Sequence, residues 1–152
     1  MKDIIKPDLI IDDVRSTDKN EVIGEMVDKL NAYFGIDNNT DIKRTLIDRE
    51  ELGSTGIGDH IAIPHAKVDG IKGVVSVFGR SKKGIEFHSL DGKPVHLLCL
   101  LLSDEQSTNE LLSALSQVSR LLLNKEVREN LISAENKDRF YEIICNEIGK
   151  TG

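Results

Sequence analysis

The sequence predicts an α/β fold, a single domain in which a β-sheet is covered by helices. Residues 95–102 are apolar on both faces, which is typical of a central strand covered on each side. Apolar residues at helical spacing lie before and after this block of strands. Helices that bracket a sheet are typical of α/β domains, and a length of 152 residues fits one such domain.

The first predicted elements are a short strand within residues 9–14 and an amphipathic helix. Asp18 with Glu21 three residues later is a helix start signal, and Gly35 suits the position just after the helix end. The apolar positions between them repeat at helical spacing: Val22, Ile23, Met26, Val27, Leu30 and Phe34. A second helix is predicted to begin near Thr40 and to end at Gly53.

The middle of the chain has the pattern of strands. We expect a short extended segment at residues 61–64, a β-branched strand at 74–78 and another strand at 85–87. Turn residues separate them at Gly84 and at Asp91-Gly92. The last predicted strand is the apolar segment 95–102.

Three helices are predicted after the last strand. The first begins after Ser107, Thr108 or Asn109 as a possible cap. Its predicted core stripe is Leu112, Leu115, Val118 and Leu122. Two shorter helices follow, around residues 127–132 and 139–148.

Charge and hydropathy exclude several classes of function. The formal net charge of −6 argues against nucleic acid or an anionic membrane surface as a partner. No apolar run approaches the ~20 residues of a membrane span, and the first residues lack the apolar core of a secretory signal. We therefore expect no membrane insertion and a cytoplasmic location.

The sequence indicates no metal site. Cys99 lies in the apolar strand and Cys145 in a helical pattern, so we interpret both as small buried side chains. His60 lies five residues before His65, and on an extended strand an odd offset points two side chains to opposite faces. The remaining histidines form no zinc-ligand spacing: His60, His88 and His96. We interpret His96 as a satisfied strand residue, whereas His60 either lines a site or fills a loop.

A glycine-rich segment is the densest local signal in the chain. Gly53, Gly56 and Gly58 let the backbone turn sharply and expose its N–H groups, as an anion site requires. The same pattern is also found in plain turns, and it matches neither nucleotide-binding glycine motif. Ser54 and Thr55 could bond a phosphate or serve as turn residues.

His65, which follows this segment, is the residue best suited to carry out chemistry. Pro64 fixes its own φ and biases Ile63 toward an extended conformation, so the imidazole after it is presented at the end of a short strand. A histidine near its ordinary pKa of ~6.5 is substantially neutral at pH 7, and one ring nitrogen can then act as a nucleophile.

Arg49 opens the glycine-rich region and has two possible roles. Its guanidinium could balance a phosphoryl group with a bidentate contact. Alternatively, it is an exposed helix-end residue paired with Asp48, Glu50 or Glu51. The spacing alone does not separate the two.

Residues 53–65, Gly-Ser-Thr-Gly-Ile-Gly-Asp-His-Ile-Ala-Ile-Pro-His, closely resemble the active-site signature of the fructose/mannitol-type IIA domains of the sugar phosphotransferase system. The similarity extends upstream in residues 46–50 and downstream in 91–98 and 112–122, and it covers nearly all of the chain. Residues 1–152 are therefore identified as one IIA domain of this type, with the nitrogen-type IIA proteins as relatives. The resemblance implies a mixed β-sheet flanked by helices.

The resemblance also implies a reaction and its partners. In that family the histidine after Ile-Pro accepts phosphate from the phosphocarrier protein HPr and passes it to a cysteine of a IIB domain. The match places the acceptor on His65 and the charge clamp on Arg49, and it makes Ser54, Thr55 and Gly56 candidates for phosphate binding. Positioning and electrostatics would supply the catalysis without a cofactor.

One position departs from the family pattern. The family commonly has a second histidine at the start of the helix after the last long strand, and the helical spacing puts Leu111 there. Asn109 or Glu110 could approach the site instead. If Leu111 lies beside His65, Leu111→His should speed transfer, whereas if Leu111 is a core residue the change should destabilise the fold.

Two other functions compete with sugar transport. A regulatory IIA-like protein would use the phosphorylation state of His65 to control binding to a protein partner. A purely structural domain with an inactive site fits less well, because the segment around His65 is intact. The sequence does not name a sugar.

Overall fold

A six-stranded mixed β-sheet lies between two layers of helices in this computed structural model, which describes residues 4–36 and 39–151. The strands are β1 (Ile10–Ile11), β2 (Gly56–Gly58), β3 (Ile61–Ala62), β4 (His65–Lys67), β5 (Val74–Ile85) and β6 (Val95–Ser103). The helices are a short 3-10 helix (Pro7–Leu9), α1 (Lys19–Phe34), α2 (Asn39–Leu52), α3 (Thr108–Leu123), α4 (Lys125–Ser133) and α5 (Lys137–Thr151). The predicted α/β fold class is confirmed.

Strand β6 is the centre of the sheet, and its two faces belong to different layers. Leu98, Leu100 and Leu102 pack in one core with residues of α1 and α2. Leu97, Cys99 and Leu101 alternate with them and pack in a second core with residues of α3, α4 and α5. The apolar run was thus correctly predicted as a central strand covered on both sides.

The edges of β6 pair in opposite senses, which makes the sheet mixed. On one edge β5 runs antiparallel to β6, and β1 lies beyond it, parallel to β5. On the other edge β3 and β4 both run parallel to β6, and β2 is antiparallel to β3. Pro64 has no N–H for the ladder, so it separates β3 from β4, but its carbonyl still accepts from Leu101 N at 2.9 Å.

The ends of α1 agree with their prediction. The Asp18 side chain accepts a hydrogen bond from Glu21 N at 2.9 Å, as an N-cap does. At the other end, Gly35 has a φ of +66° and its N–H donates to Asn31 O at 2.7 Å. Because these signals are local, the sequence is sufficient to predict them.

The predicted strands differ from the observed ones in three places. Only Ile10–Ile11 of the predicted segment 9–14 pairs as a strand. The strand predicted at 74–78 continues to Ile85 as one irregular strand, and residues 86–87 lie beyond its end. Gly84, at a φ of +93°, donates its N–H to Ser81 Oγ at 3.0 Å within the irregular part. The glycine-rich segment contains β2, which the sequence did not predict.

The buried face of α3 also differs from the predicted stripe. Leu112 is 59% exposed, whereas Leu111 is 4% exposed and packs in the same core as Ile63 and Leu101. The buried residues of α3 are Leu111, Ala114, Val118, Leu121 and Leu122. The predicted stripe was wrong at Leu112 because two adjacent leucines fit two helical registers equally well.

We expect Leu111→His to destabilise the fold, because an imidazole would replace a buried aliphatic side chain. The loss should be about 2–5 kcal/mol, and the rate of phosphoryl transfer to the chain should not rise. Thermal melts and a transfer assay on one preparation measure both. Leu112→His is the matched control and should leave the melting temperature nearly unchanged. A Leu111→His protein that is as stable as the parent and takes up the phosphoryl group faster would contradict the assignment of Leu111 to the core.

Candidate phosphoacceptor site

His65 is the first residue of β4 and is half-buried at the edge where β4 meets β6. Its ring nitrogen Nδ1 lies 2.8 Å from the carbonyl oxygen of Ile63. A carbonyl oxygen can only accept, so Nδ1 carries the hydrogen and donates it. The neutral imidazole therefore has its lone pair on Nε2, the nitrogen that can act as a nucleophile.

The local sequence explains how the ring meets that carbonyl. Pro64 favours an extended conformation of Ile63, and the two residues between β3 and β4 break the regular ladder. The Ile63 N–H donates to Thr55 O at 3.1 Å, and the Pro64 carbonyl bonds to Leu101 N. Both residues before the histidine are thus fixed through the main chain.

The loop from Gly53 to Gly56 lies against this segment, and its polar groups bond within the protein. Ser54 Oγ donates to Phe87 O at 2.9 Å and accepts from Gly56 N at 3.1 Å. The Thr55 N–H and hydroxyl both donate to the carboxylate of Glu50. In this arrangement both hydroxyls and the N–H groups of Thr55 and Gly56 are already used, so phosphate binding by these groups stays a prediction and requires an exchange of these bonds.

Glu50 is a site residue whose role the sequence analysis missed. It is 5% exposed, and besides Thr55 it contacts Lys19 of α1, with Nζ to Oε1 at 3.2 Å. We had considered it only as an exposed ion-pair partner of Arg49. The missed signal is spacing, because Ile42, Leu46 and Glu50 follow at four-residue intervals and all are buried.

Arg49 lies at the C-terminal end of α2, on the chain segment that leads into the loop. Its Nη1 donates to Gly53 O at 2.9 Å. Within the described residues, no carboxylate lies within ion-pair distance of the guanidinium, so the ion pairs considered with Asp48, Glu50 and Glu51 do not form. One bond leaves several N–H groups of the guanidinium for an anion.

The turn between β2 and β3 is held by a carboxylate. Gly58, Asp59 and His60 have φ values of +97°, +55° and +67°, a conformation that few residues other than glycine adopt. Asp91 accepts from the backbone N–H groups of Lys93 and Asp59, both at 3.1 Å. These bonds, that of Lys93 first, hold the pKa of Asp91 below its usual range, so the carboxylate is ionised at neutral pH.

Two of the other histidines bond to backbone carbonyls of their own. His60 Nδ1 bonds to Pro94 O at 2.8 Å and His96 Nδ1 to Ser81 O at 2.7 Å, with the two rings 5.4 Å apart. His96 is thus satisfied within the sheet, as predicted. No group of three or more metal-ligating side chains is found in the described residues.

The prediction that both cysteines are buried is correct for Cys99 and wrong for Cys145. Cys99 is buried in β6, and burial raises the pKa of its thiol, which disfavours the thiolate. Cys145 is half-buried in α5, and the pKa of its neighbour Tyr141 is raised mainly by a hydrogen bond with Cys145.

The chain is similar in sequence to a family of known proteins. A family model for the phosphoenolpyruvate-dependent sugar phosphotransferase system, EIIA 2, matches residues 3–147. The fructose-specific EIIABC component of Bacillus subtilis is 40% identical over 131 residues, which are 86% of this chain but 21% of that protein. The nitrogen regulatory protein of Bradyrhizobium diazoefficiens is 30% identical over 143 residues, which are 94% of this chain and 93% of that protein.

Solved structures share the fold. Nitrogen regulatory protein IIA-Ntr from Neisseria meningitidis superposes with a TM-score of 0.86 at 31% identity, covering 94% of this chain and 97% of that one. Enzyme IIA mannitol of Escherichia coli, solved in complex with phosphorylated enzyme IIB mannitol, gives a TM-score of 0.78 over 93% of this chain and 97% of that one. At 19% identity the second likeness establishes the fold alone. The described part of the chain contains no helix with the length and hydrophobicity to span a bilayer.

Gly56→Ala should destabilise the loop because there is no room for a side chain. A Cβ at this position would lie 2.3 Å from Ser89 Oγ and 3.0 Å from the Ser89 backbone Cα. We expect a loss of about 1–3 kcal/mol in the free energy of unfolding, measured by denaturant titration.

Gly53→Ala is the control for this substitution, since a Cβ there meets nothing within 4 Å. Equal stability of the two variants would show that the contact between Gly56 and Ser89 does not constrain the loop.

Proposed function

Because the chain belongs to the EIIA 2 family of the phosphoenolpyruvate-dependent sugar phosphotransferase system, we propose that it is a phosphocarrier that accepts a phosphoryl group from HPr on Nε2 of His65. It then passes the group to a cysteine of a IIB partner. The observation that carries this proposal is the hydrogen bond from His65 Nδ1 to the Ile63 carbonyl, because it leaves Nε2 as the nucleophilic nitrogen.

The transfer needs no change of protonation at Nδ1. The lone pair of Nε2 attacks the phosphorus of the donor's phosphohistidine, a new N–P bond forms, and the electron pair of the broken N–P bond returns to the donor nitrogen. In the second step a thiolate of the partner attacks the same phosphorus, and Nε2 regains its lone pair. Positioning and charge stabilisation account for most of the catalysis in such transfers.

Arg49 is proposed to stabilise the charge on the phosphoryl oxygens. It has no carboxylate partner in the described residues, and its bond to Gly53 O directs it toward the loop before His65. A planar guanidinium can bond two phosphoryl oxygens at once, which a lysine cannot do.

Exposed apolar side chains near the loop support a protein rather than a small molecule as the phosphoryl donor. Leu52, at the end of α2, is 86% exposed and Leu90 is 83% exposed. Leu90 is close to the loop, since its N–H donates to Gly56 O at 3.2 Å. Large exposed apolar side chains beside a reactive group are typical of surfaces that contact another protein.

Regulation is the second candidate function. Several relatives are nitrogen regulatory proteins, including that of Bradyrhizobium at 30% identity over 143 residues. In a regulatory role, phosphorylation of His65 would control the binding of a partner protein. Incubation of the phosphorylated chain with a purified fructose-type IIB domain separates the functions, because transport requires rapid loss of the label to the IIB cysteine.

Phosphate from HPr should be found on His65 and on no other residue. The chain is incubated with HPr, the kinase that phosphorylates HPr, and phosphoenolpyruvate, and the modified residue is mapped. The product should be acid-labile and alkali-stable, as a phosphoramidate is. His65→Ala should remove the label and keep the fold, and His60→Ala is the control that should retain it; labelled His65→Ala protein would refute the assignment.

Arg49→Lys should slow the transfer with little change in melting temperature. The substitution keeps the charge but loses the planar pair of donors. Loss of one charge-assisted contact in a water-excluded transition state costs on the order of 2–4 kcal/mol, or roughly 30- to 1,000-fold in rate. Rapid-quench kinetics with phosphorylated HPr measure the rate, and Arg44→Lys on the exposed part of α2 is the control. Transfer at the parent rate by Arg49→Ala would show that Arg49 has no role in the chemistry.

A further inference from the structure

A continuous series of hydrogen bonds connects a buried ion pair to the ring of His65. Lys19 Nζ contacts the Glu50 carboxylate at 3.2 Å, and the carboxylate accepts the Thr55 N–H at 3.0 Å and the Thr55 hydroxyl. The Thr55 carbonyl accepts the Ile63 N–H at 3.1 Å. The Ile63 carbonyl accepts the His65 Nδ1–H at 2.8 Å.

We propose that Lys19, Glu50 and Thr55 are positioning residues for His65, which set the tautomer and the orientation of its imidazole through the Thr55 and Ile63 peptide groups. The inference rests on the proposed function, since it concerns the efficiency of the same phosphoryl transfer. None of the three side chains needs to touch the phosphoryl group.

The Glu50 carboxylate is suited to this role because it bonds both donors of Thr55. Two bonds to one residue fix the Thr55 main chain, and with it the direction of the Thr55 carbonyl. That carbonyl fixes where the Ile63 N–H lies. The Ile63 N–H and C=O belong to successive peptide groups, and Pro64 restricts the torsion between them to the extended region, so the position of Ile63 constrains the carbonyl that His65 uses. Misplacement of a reacting group by about 1 Å can slow a reaction about 100-fold.

Lys19 holds the carboxylate in place through the contact between Nζ and Oε1. The side chains of Lys19 and Glu50 are 12% and 2% exposed, so water does little to screen their attraction. The ammonium also lies 5.0 Å from the centre of the Phe87 ring, and the Phe87 carbonyl accepts the Ser54 hydroxyl. Ser54 and Thr55 are thus each bonded to a residue that contacts Lys19.

The test compares the unsubstituted chain with three variants, which are Glu50→Gln, Thr55→Val and Thr55→Ser. Nitrogen-15 NMR of the unphosphorylated proteins reports which ring nitrogen of His65 carries the hydrogen. Single-turnover kinetics with phosphorylated HPr give the transfer rate at saturation and the KM for HPr. Glu51→Gln is the matched control, since it removes the same charge from the next, exposed residue of α2.

We expect Glu50→Gln and Thr55→Val to lower the saturating rate by on the order of 10- to 100-fold with an unchanged KM for HPr. The His65 ring signals should move toward a mixture of tautomers. Thr55→Ser restores the hydroxyl and should restore both rate and tautomer, whereas Glu51→Gln should match the parent. If Glu50→Gln does not fold, the Thr55 pair decides the question alone.

Folded Thr55→Val protein with the parent rate and the parent ring signals would overturn the proposal. So would a slow variant with unchanged ring signals, because the loop would then act by another route. A parent chain that takes no phosphate from HPr would instead refute the proposed function, and the ring signals would still test the positioning of His65.

Discussion

Strand β6 requires burial on both of its faces, and the position of the site depends on that requirement. Its side chains alternate between the core shared with α1 and α2 and the core shared with α3, α4 and α5. A strand with two apolar faces cannot lie at a surface, so the chain must cover it with helices on each side. The edge of β6 that β5 does not occupy is filled by β3 and β4, and His65 begins the second of these short strands.

The site lies where that edge becomes irregular. A continuous strand would bury the backbone of residues 61–67 in a regular ladder, but Pro64 interrupts it. Within this break in the ladder, the Ile63 carbonyl accepts a hydrogen bond from the His65 ring. The acceptor that determines the tautomer of the histidine is thus a main-chain group two residues earlier in the chain.

The sequence was sufficient where the determining interactions are local or strictly periodic. Asp18 and Gly35 delimit α1 through contacts within one helical turn, and β6 is evident from its composition. It failed where tertiary contacts decide, as at Leu111 and Leu112, since only packing against the sheet selects one of two adjacent leucines. Of the candidate site residues, the sequence indicated His65 and Arg49, whereas the role of Glu50 depends on Lys19, thirty-one positions earlier in the chain.

A backbone carbonyl as the partner of His65 suits the proposed role of this residue, which is to accept and release a phosphoryl group. A carboxylate in that place would also fix the tautomer, but its negative charge would lie close to the incoming phosphoryl group. A neutral carbonyl fixes the ring without adding a negative charge beside an incoming anionic group. The carboxylate of the site, Glu50, lies farther along the hydrogen-bond series, where Lys19 balances its charge. In the proposed site the backbone therefore orients the nucleophile, and Arg49 supplies the positive charge for the phosphoryl oxygens.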